Sequence, residues 1–361
     1  GHSVTVFSNL PQGAQPGKHD GVTYMPIGEF VRYAGTTSHD VAIVQREPMG
    51  FNQPLQSKLN VLWCHDLGLR RYHAQFRSSL WNVDYVAPVS HWHGRQLCEV
   101  YGLPAEIIAP MRNGIELETI RRHSDRKGAR DQNGLVFTSR PERGLDVLVS
   151  SVFPRLLERN PRLVLYVAGY DNTTEQLQGF YAHIQQQIAN LGQRAKWMGH
   201  LRKAELYGLY SRARVLLYPS RSFKEVNCIT AAEAAACGLP FVGTTLGALP
   251  ETTGRAPGFA RLVDHPGYEA TEDFIARFVE AAWEVISDDL LNKRMSEAGR
   301  AGAEAFSWVE IAKEWEEFLY GAIELRSRDK LRLARHWWRL GDLYGVEKII
   351  PLLSPDQIGA L

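Results

Sequence analysis

Cysteine is scarce in this sequence. Four residues among 361, Cys64, Cys98, Cys228 and Cys237, lie far apart or in apolar runs, and no two form a CxxC pair. That excludes a zinc ribbon and a disulfide framework, and a reducing cytoplasm is the expected compartment. No apolar run approaches the roughly 20 residues that a membrane-spanning helix needs. The opening stretch, Gly1-His2-Ser3-Val4-Thr5-Val6-Phe7, reads as a strand and not as a signal peptide. The expected protein is soluble, or at most peripheral to a membrane. An excess of one charge sign is also lacking: Lys plus Arg is 41 and Asp plus Glu is 40, for a net charge of +1. A dedicated nucleic-acid binder would carry a basic excess, so no nucleic-acid partner is expected. Internal repeats and low-complexity segments are absent.

What is present is globular in composition, with 44% hydrophobic and 22% charged residues. The length exceeds one ordinary core and predicts two domains. Short apolar runs alternate with helix-period segments. The strand candidates are Val4–Phe7, Val41–Val44, Val61–Cys64, Tyr85–Val89, Glu106–Ala109, Leu135–Thr138, Leu163–Ala168, Val215–Tyr218 and Phe241–Thr244. Amphipathic stretches such as Leu145–Glu158, Thr174–Leu191 and Ala204–Arg212 lie between them. Such alternation means crossover units and a mostly parallel sheet covered on both faces. The pattern pauses over Met111–Asn133, which is polar and basic and reads as a solvated linker or helix face. After Gly267 the chain turns helical, with candidates at Glu272–Ser287, Asp289–Phe306 and Ser307–Leu325. The fold class is α/β, with two doubly wound domains across a cleft.

The chemistry concentrates between Tyr218 and Phe241. There Glu225 and Glu233 stand eight positions apart, after Pro219-Ser220 and before Gly238-Leu239-Pro240. On one helix that spacing rotates the pair by about 80°, so they would not share a face. The better geometry puts Glu225 in a loop and Glu233 inside the following helix. Glu225 can then accept hydroxyl hydrogen bonds from a polyol, while the helix N-terminus points free N–H groups at an anion.

This pattern, followed by Gly247-Ala248-Leu249-Pro250-Glu251, resembles family 4 of the retaining, nucleotide-sugar-dependent glycosyltransferases, which have the GT-B fold. Asn113-Gly114-Ile115-Glu116 resembles that family's turn into the second domain. Ser139-Arg140-Pro141-Glu142-Arg143-Gly144-Leu145-Asp146 resembles its Arg/Lys loop. Val167-Ala168-Gly169 is similar to its Val-x-Gly strand end, Trp197-Met198-Gly199 to its Phe-x-Gly, and His65-Asp66 to its acceptor-side histidine segment. The ordered set covers roughly residues 1–325.

The resemblance implies a hexosyl transfer from a nucleotide-diphosphate sugar to an acceptor hydroxyl, with retention of anomeric configuration. It implies Arg140, Arg143, Glu225 and His65 as catalytic residues. Donor contacts would come from Glu233 on the ribose, with Asn227, Cys228, Ile229, Thr230, Gly169 and Met198. His65 and Asp66 would face the acceptor, a glycan, lipid or small molecule. No Asp-x-Asp occurs, so the usual carboxylate cradle for a divalent ion is absent and no metal or other cofactor is expected. Peripheral membrane contact is compatible with this reading. His91-Trp92-His93 reads as the opening of a helix and not as a metal pair.

The expected division is an acceptor-side domain over 1–113 completed by a helix over 305–327, a donor domain over 114–304, and a helical tail over 328–361. Three departures from the family pattern stand out. Arg143 replaces its lysine in a loop two residues shorter, and Val226-Asn227-Cys228 replaces its Gly-Phe-Gly. Gly1–Val4 resembles the end of the first helix, so the first strand, its glycine loop and most of that helix are expected to be missing. Two other function classes remain open on the sequence: a nucleotide-sugar epimerase of the same fold, and a non-catalytic nucleotide-sugar-binding subunit. In the tail, Arg332, Arg335 and Arg339 fall at helical spacing around Trp337-Trp338, as in a membrane-surface helix. Asp342, Glu347 and Asp356 favour packing on the body instead.

Overall fold

The computed structural model describes residues 1–124, 130–169, 174–265, 267–339, 346–347 and 349–361, without the side chains of 326–329, 332, 333, 336, 337 and 339. The tail residues Arg332, Trp337, Arg339 and Asp342 therefore lie outside what is described of side chains. The chain divides into two compact units: Gly1–Val89, Gly94–Met111 and Trp315–Leu361 form the first, and Ser90–His93 with Arg112–Glu314 form the second.

The first unit holds β1 (Val4–Ser8), β2 (Gly17–His19), β3 (Val22–Pro26), α1 (Phe30–Thr36), β4 (His39–Gln45), β5 (Ser57–Cys64), α2 (His73–Ser79), β6 (Tyr85–Pro88) and most of α3 (His91–Tyr101). Its strands form two separate sheets, β1-β3-β2 and an all-parallel β4-β5-β6. Side chains of β5 alternate between two apolar layers. Leu62 and Cys64 join Phe51, Leu80, Val86 and Leu97, while Leu59 and Val61 join Tyr85, Ala87 and Trp315. Coverage on both faces explains why β5 and β6 read as continuous apolar runs. The expected strand Glu106–Ala109 is instead a 3-10 turn, Ala105–Ile107, with a single bridge from Ile108 to Val86. Pro104 and Pro110 flank it, and proline cannot donate to a ladder.

The second unit is built on one six-stranded parallel sheet. Its elements are α4 (Leu117–Ser124), β7 (Gly134–Thr138), α5 (Leu145–Val147), α6 (Phe153–Arg159), β8 (Val164–Ala168), α7 (Gln178–Asn190), β9 (Ala195–Gly199), α8 (Lys203–Arg212), β10 (Val215–Tyr218), α9 (Ile229–Ala236), β11 (Phe241–Thr244), α10 (Leu249–Thr253), β12 (Ala260–Val263), α11 (Glu272–Ser287) and α12 (Asp289–Gly302). The strand order is β12-β11-β10-β7-β8-β9. Chain direction across the sheet reverses between β7 and β10, where Val215 pairs with Leu135 and Leu216 with Val136. Every residue of β7, β10 and β11 is buried.

The stretch expected as a linker is partly core. Leu117 and Ile120 of α4 are buried in the second unit, and Arg130 is half-buried. Its guanidinium donates to the carbonyls of Ala213 at 3.1 Å, Cys237 at 3.2 Å and Gly238 at 2.5 Å, holding the C-terminal end of α9. A cation at that end meets the negative pole of the helix. The final long helix, α13 (Trp308–Arg339), runs well beyond the expected Leu325. Trp315 and Phe318 pack in the first unit. Trp308 does not: it belongs to the second unit and lies over Gly114, where a Cβ would stand 2.6 Å from its ring. Further along, Ala334, Val346, Ile349 and Leu353 join the core of the first unit, and Lys330 forms a buried ion pair with Asp84 at 3.1 Å. Arg335 is exposed and donates to the carbonyl of Ala360. A short helix, α14 (Pro355–Gly359), ends the chain as described.

Candidate functional site

In an open parallel sheet, the loops at the carboxyl ends of the strands diverge where the strand order reverses, and that crevice takes ligands. Here the reversal lies between β7 and β10. The loop after β7 carries Arg140 and Arg143, and the loop after β10 carries Glu225. Gly144 lets these two loops touch. Its φ is +104°, and a Cβ there would stand 2.3 Å from the Pro219 carbonyl oxygen, so no other residue fits.

The contact brings Arg143 onto Glu225. Nη1 of Arg143 donates to Oε1 of Glu225 at 2.8 Å, and the guanidinium lies 4.1 Å from the centre of the Phe223 ring. The Tyr218 hydroxyl donates to the same Oε1 at 2.5 Å. Glu225 is 3% exposed, and burial raises its pKa above the ordinary glutamate value, against the lowering effects of Arg143 and Tyr218. The Nε of Arg143 is buried and has no hydrogen-bond acceptor among the described residues. A buried guanidinium donor without a partner departs from the usual pairing of buried polar groups. Arg140 is different: its side chain is half exposed and lies 4.0 Å from Glu142, not against Glu225.

Helix α9 begins at Ile229, directly after the loop that carries Glu225, Asn227 and Cys228. The side chain of Cys228, its N-cap residue, makes no capping hydrogen bond among the described residues. The backbone of Cys228 accepts from Ala231 and Ala232, while Ile229 and Thr230 stand at the mouth, exposed and half-buried. Such a terminus favours an anion. Glu233, one turn in, is buried and engaged from α8: Lys203 Nζ lies 2.6 Å from its Oε1 and the Tyr207 hydroxyl 3.0 Å.

The remaining expected residues lie elsewhere. Gly169 directly follows β8, donates to the Gly199 carbonyl at 3.1 Å, and leaves no room for a Cβ against Ser139 O, 2.7 Å away. Met198 faces a different cavity of about 590 Å³, lined with Tyr166, Leu201, Ala204, Glu205 and Arg212, which neither Arg143 nor Glu225 lines. In the first unit, His65 and Asp66 follow β5. Gln45 lies 2.9 Å from His65 Nε2, and Nη1 of Arg46 reaches both Asp66 oxygens at 2.8 Å. Arg46 adopts a left-handed φ of +68°, uncommon for a residue with a side chain. His91 does open a helix, with the Glu251 carboxylate accepting from the amides of His91 and Trp92 at 3.0 Å.

Sequence reasoning missed Tyr218, Phe223, Tyr207 and Lys203. Tyr218 carried a weak signal, being a polar-tipped residue that ends an apolar strand just before the first glutamate. Lys203 and Tyr207 carried none, because they reach Glu233 from a helix about 30 positions upstream.

Residues 132–288 match the family model described as glycosyl transferases group 1. Among curated proteins, a D-inositol 3-phosphate glycosyltransferase of Streptomyces bingchenggensis is 26% identical over 230 residues, covering 60% of this chain and 48% of that protein. A GDP-mannose-dependent monoacylated alpha-(1-6)-phosphatidylinositol monomannoside mannosyltransferase of Corynebacterium glutamicum is 26% identical over 177 residues, covering 46% of this chain and 41% of that one. The chain thus spans less than half the length of these relatives. Among solved structures, a glycosyltransferase of Rickettsia africae superposes with a TM-score of 0.65 at 14% identity, covering 88% of this chain and 89% of its own. Sucrose-phosphate synthase of Thermosynechococcus elongatus does so with a TM-score of 0.65 at 17% identity, covering 89% of each. At these identities the likeness speaks for the fold, which is GT-B.

Proposed function

Residues 132–288 form a glycosyl transferases group 1 domain, and from that premise we propose that the protein binds a nucleotide-diphosphate sugar in its second unit and transfers the sugar to an acceptor hydroxyl with retention of configuration. The observation that carries this reading is the meeting of Arg143 and Glu225, in the loop that leads into α9, where the strand order reverses. Arg143, whose side chain is partly exposed beside Glu225, meets the diphosphate. Arg140 and the amides of α9 add positive potential, so the leaving diphosphate is neutralised without a metal. Glu225 accepts hydroxyls of the donor sugar, and Glu233 the ribose hydroxyls.

In this mechanism the acceptor approaches the face that the leaving group vacates. A diphosphate oxygen takes the acceptor proton as the bond from the anomeric carbon to the leaving oxygen breaks. Glu225 acts by orientation and charge and forms no bond to the sugar. His65 and Asp66, held by Gln45 and Arg46, are the acceptor-side residues. D-inositol 3-phosphate and a monoacylated phosphatidylinositol monomannoside, which the names of the two relatives print, are the first acceptors to try; other glycans, lipids and small polyols follow.

The test pairs two isosteric changes. Glu225→Gln should cut turnover strongly while nucleoside diphosphate still binds. Glu233→Gln should weaken nucleotide binding. Product analysed by NMR should keep the donor's anomeric configuration. An inverted product, or a glycosyl adduct trapped on Glu225 by mass spectrometry, contradicts the mechanism. Donor binding without transfer to any acceptor supports the non-catalytic subunit, and release of a sugar epimer without acceptor supports the epimerase.

A further inference from the structure

The two functional glutamates are held in the same way, although the elements that hold them differ. Glu225 receives Tyr218 and Arg143 on Oε1. Glu233 receives Tyr207 and Lys203 on Oε1. Neither Oε2 has a hydrogen-bond donor among the described residues. A carboxylate oxygen offers two lone pairs. Two donors on one oxygen occupy that oxygen and leave the other for a ligand.

The two members of each pair do different work. Arg143 and Lys203 supply charge on long side chains, and Lys203 is largely exposed. The phenols supply direction, because they cannot move. Tyr218 is fully buried, stacked 5.9 Å from Phe137 with the rings 12° apart, and its hydroxyl also reaches Ser139 Oγ at 3.3 Å. Tyr207 is 2% exposed. Each phenol O–H therefore fixes the rotation of one carboxylate.

We infer that Tyr218 and Tyr207 are positioning residues, each dedicating Oε1 of its glutamate to the protein and presenting Oε2 to the donor: the sugar at Glu225, the nucleoside diol at Glu233. The inference rests on the donor-binding reading above and adds to it who aims each carboxylate. It assigns the two tyrosines to different kinetic parameters, which core packing alone would not do.

Tyr218→Phe and Tyr207→Phe keep the rings and remove only the donors. A hydrogen bond to a charged group corresponds to roughly tenfold to a hundredfold in an equilibrium or rate constant. Tyr218→Phe should lower kcat by about that factor and leave the nucleoside diphosphate Kd within about twofold. It should also move the acidic limb of the pH–rate profile upward, because the groups facing Glu225 are then Arg143 and the Cys228 thiol, with one donor fewer to its carboxylate. Tyr207→Phe should raise Kd and KM about tenfold with kcat retained. Lys203→Met, at an exposed position that leaves the core untouched, should do the same, and Lys203→Arg should restore binding.

Kinetics, calorimetry with UDP and GDP, and thermal midpoints on the full chain decide the matter. If both phenylalanine variants match wild type while Glu225→Gln and Glu233→Gln show their own losses, the positioning role is overturned alone. If the glutamine variants also match wild type, the donor-site reading falls with it. If Tyr207→Phe lowers kcat at unchanged Kd, the division of labour is wrong.

Discussion

Gly247 tests how tightly the position of Glu225 is set. Its φ is +69°, and a Cβ built there would lie 2.4 Å from the Glu225 carbonyl oxygen and 2.7 Å from its nitrogen. The same carbonyl accepts the Ala248 amide at 2.6 Å, and Glu225 and Gly247 form a backbone bridge. Contacts under 3.0 Å are essentially never made by a real Cβ, so in Gly247→Ala the Glu225 backbone must retreat by about 0.6 Å. The left-handed φ costs about 1–2 kcal/mol, and loss of the Ala248 bond about 0.5–1.5 kcal/mol. A total of about 1.5–3.5 kcal/mol, at roughly 2–4 °C per kcal/mol for a domain of this size, predicts a midpoint lower by about 3–14 °C. Because a shift of about 1 Å at a reacting centre costs on the order of 100-fold, turnover should fall at least about tenfold even well below the new midpoint. Gly321→Ala is the control. It lies in α13 with nothing within 4 Å of a built Cβ, so it should leave both readings unchanged or raise the midpoint slightly. Scanning calorimetry and donor turnover on both variants suffice. A Gly247→Ala protein that matches wild type in midpoint and rate would refute the claim that this glycine sets Glu225.

Three further outcomes are expected. Arg130→Met removes the donors that hold the Cys237 and Gly238 carbonyls, on a guanidinium whose pKa burial, with Arg300 and Arg214 nearby, pulls down to about 10. The thermal midpoint should fall by an amount equivalent to about 1–3 kcal/mol, with the nucleoside diphosphate Kd unchanged by calorimetry. Glu225 has a pKa raised by burial, so the fold favours its protonated form; the stability this contributes is present in acid and declines as pH rises through the folded value. Turnover needs the carboxylate, so kcat should fall with decreasing pH at a higher pH than an ordinary glutamate would give, and a limb at or below the ordinary value counts against it. Chelator should leave the transfer rate intact, and a loss restored by a divalent ion would contradict a site that neutralises the diphosphate with arginines and amides.

The second unit was the more legible part of the sequence. Its central strands are continuous apolar runs buried on both faces, so Val215–Tyr218 and Phe241–Thr244 could be read with correct bounds and Leu135–Thr138 one residue short at its start. Edge strands such as Ala195–Gly199 and Ala260–Val263 went unread because their outward residues are exposed and break the run. Arg130 was misread for a physical reason: in sequence it belongs to a basic run, and only the fold brings the carbonyl end of α9 to it. Glu225 and Glu233 were legible as a pair because their spacing separates loop from helix. Their partners were not, since Arg143 meets Glu225 across 82 positions and Lys203 meets Glu233 across 30. In the first unit, Val22–Pro26 is short and lies beside a two-residue turn at Asp20-Gly21, which hid a strand that pairs in parallel with Val4–Ser8.

Calorimetric titration of the protein with a panel of nucleoside diphosphates, repeated on Arg143→Met, tests the central claim most directly. The account predicts saturable binding of at least one diphosphate, unchanged by chelator and weakened roughly tenfold or more by the substitution, as expected for loss of a charge-assisted contact. Absence of binding across the panel, or equal affinity in the two proteins, would contradict it.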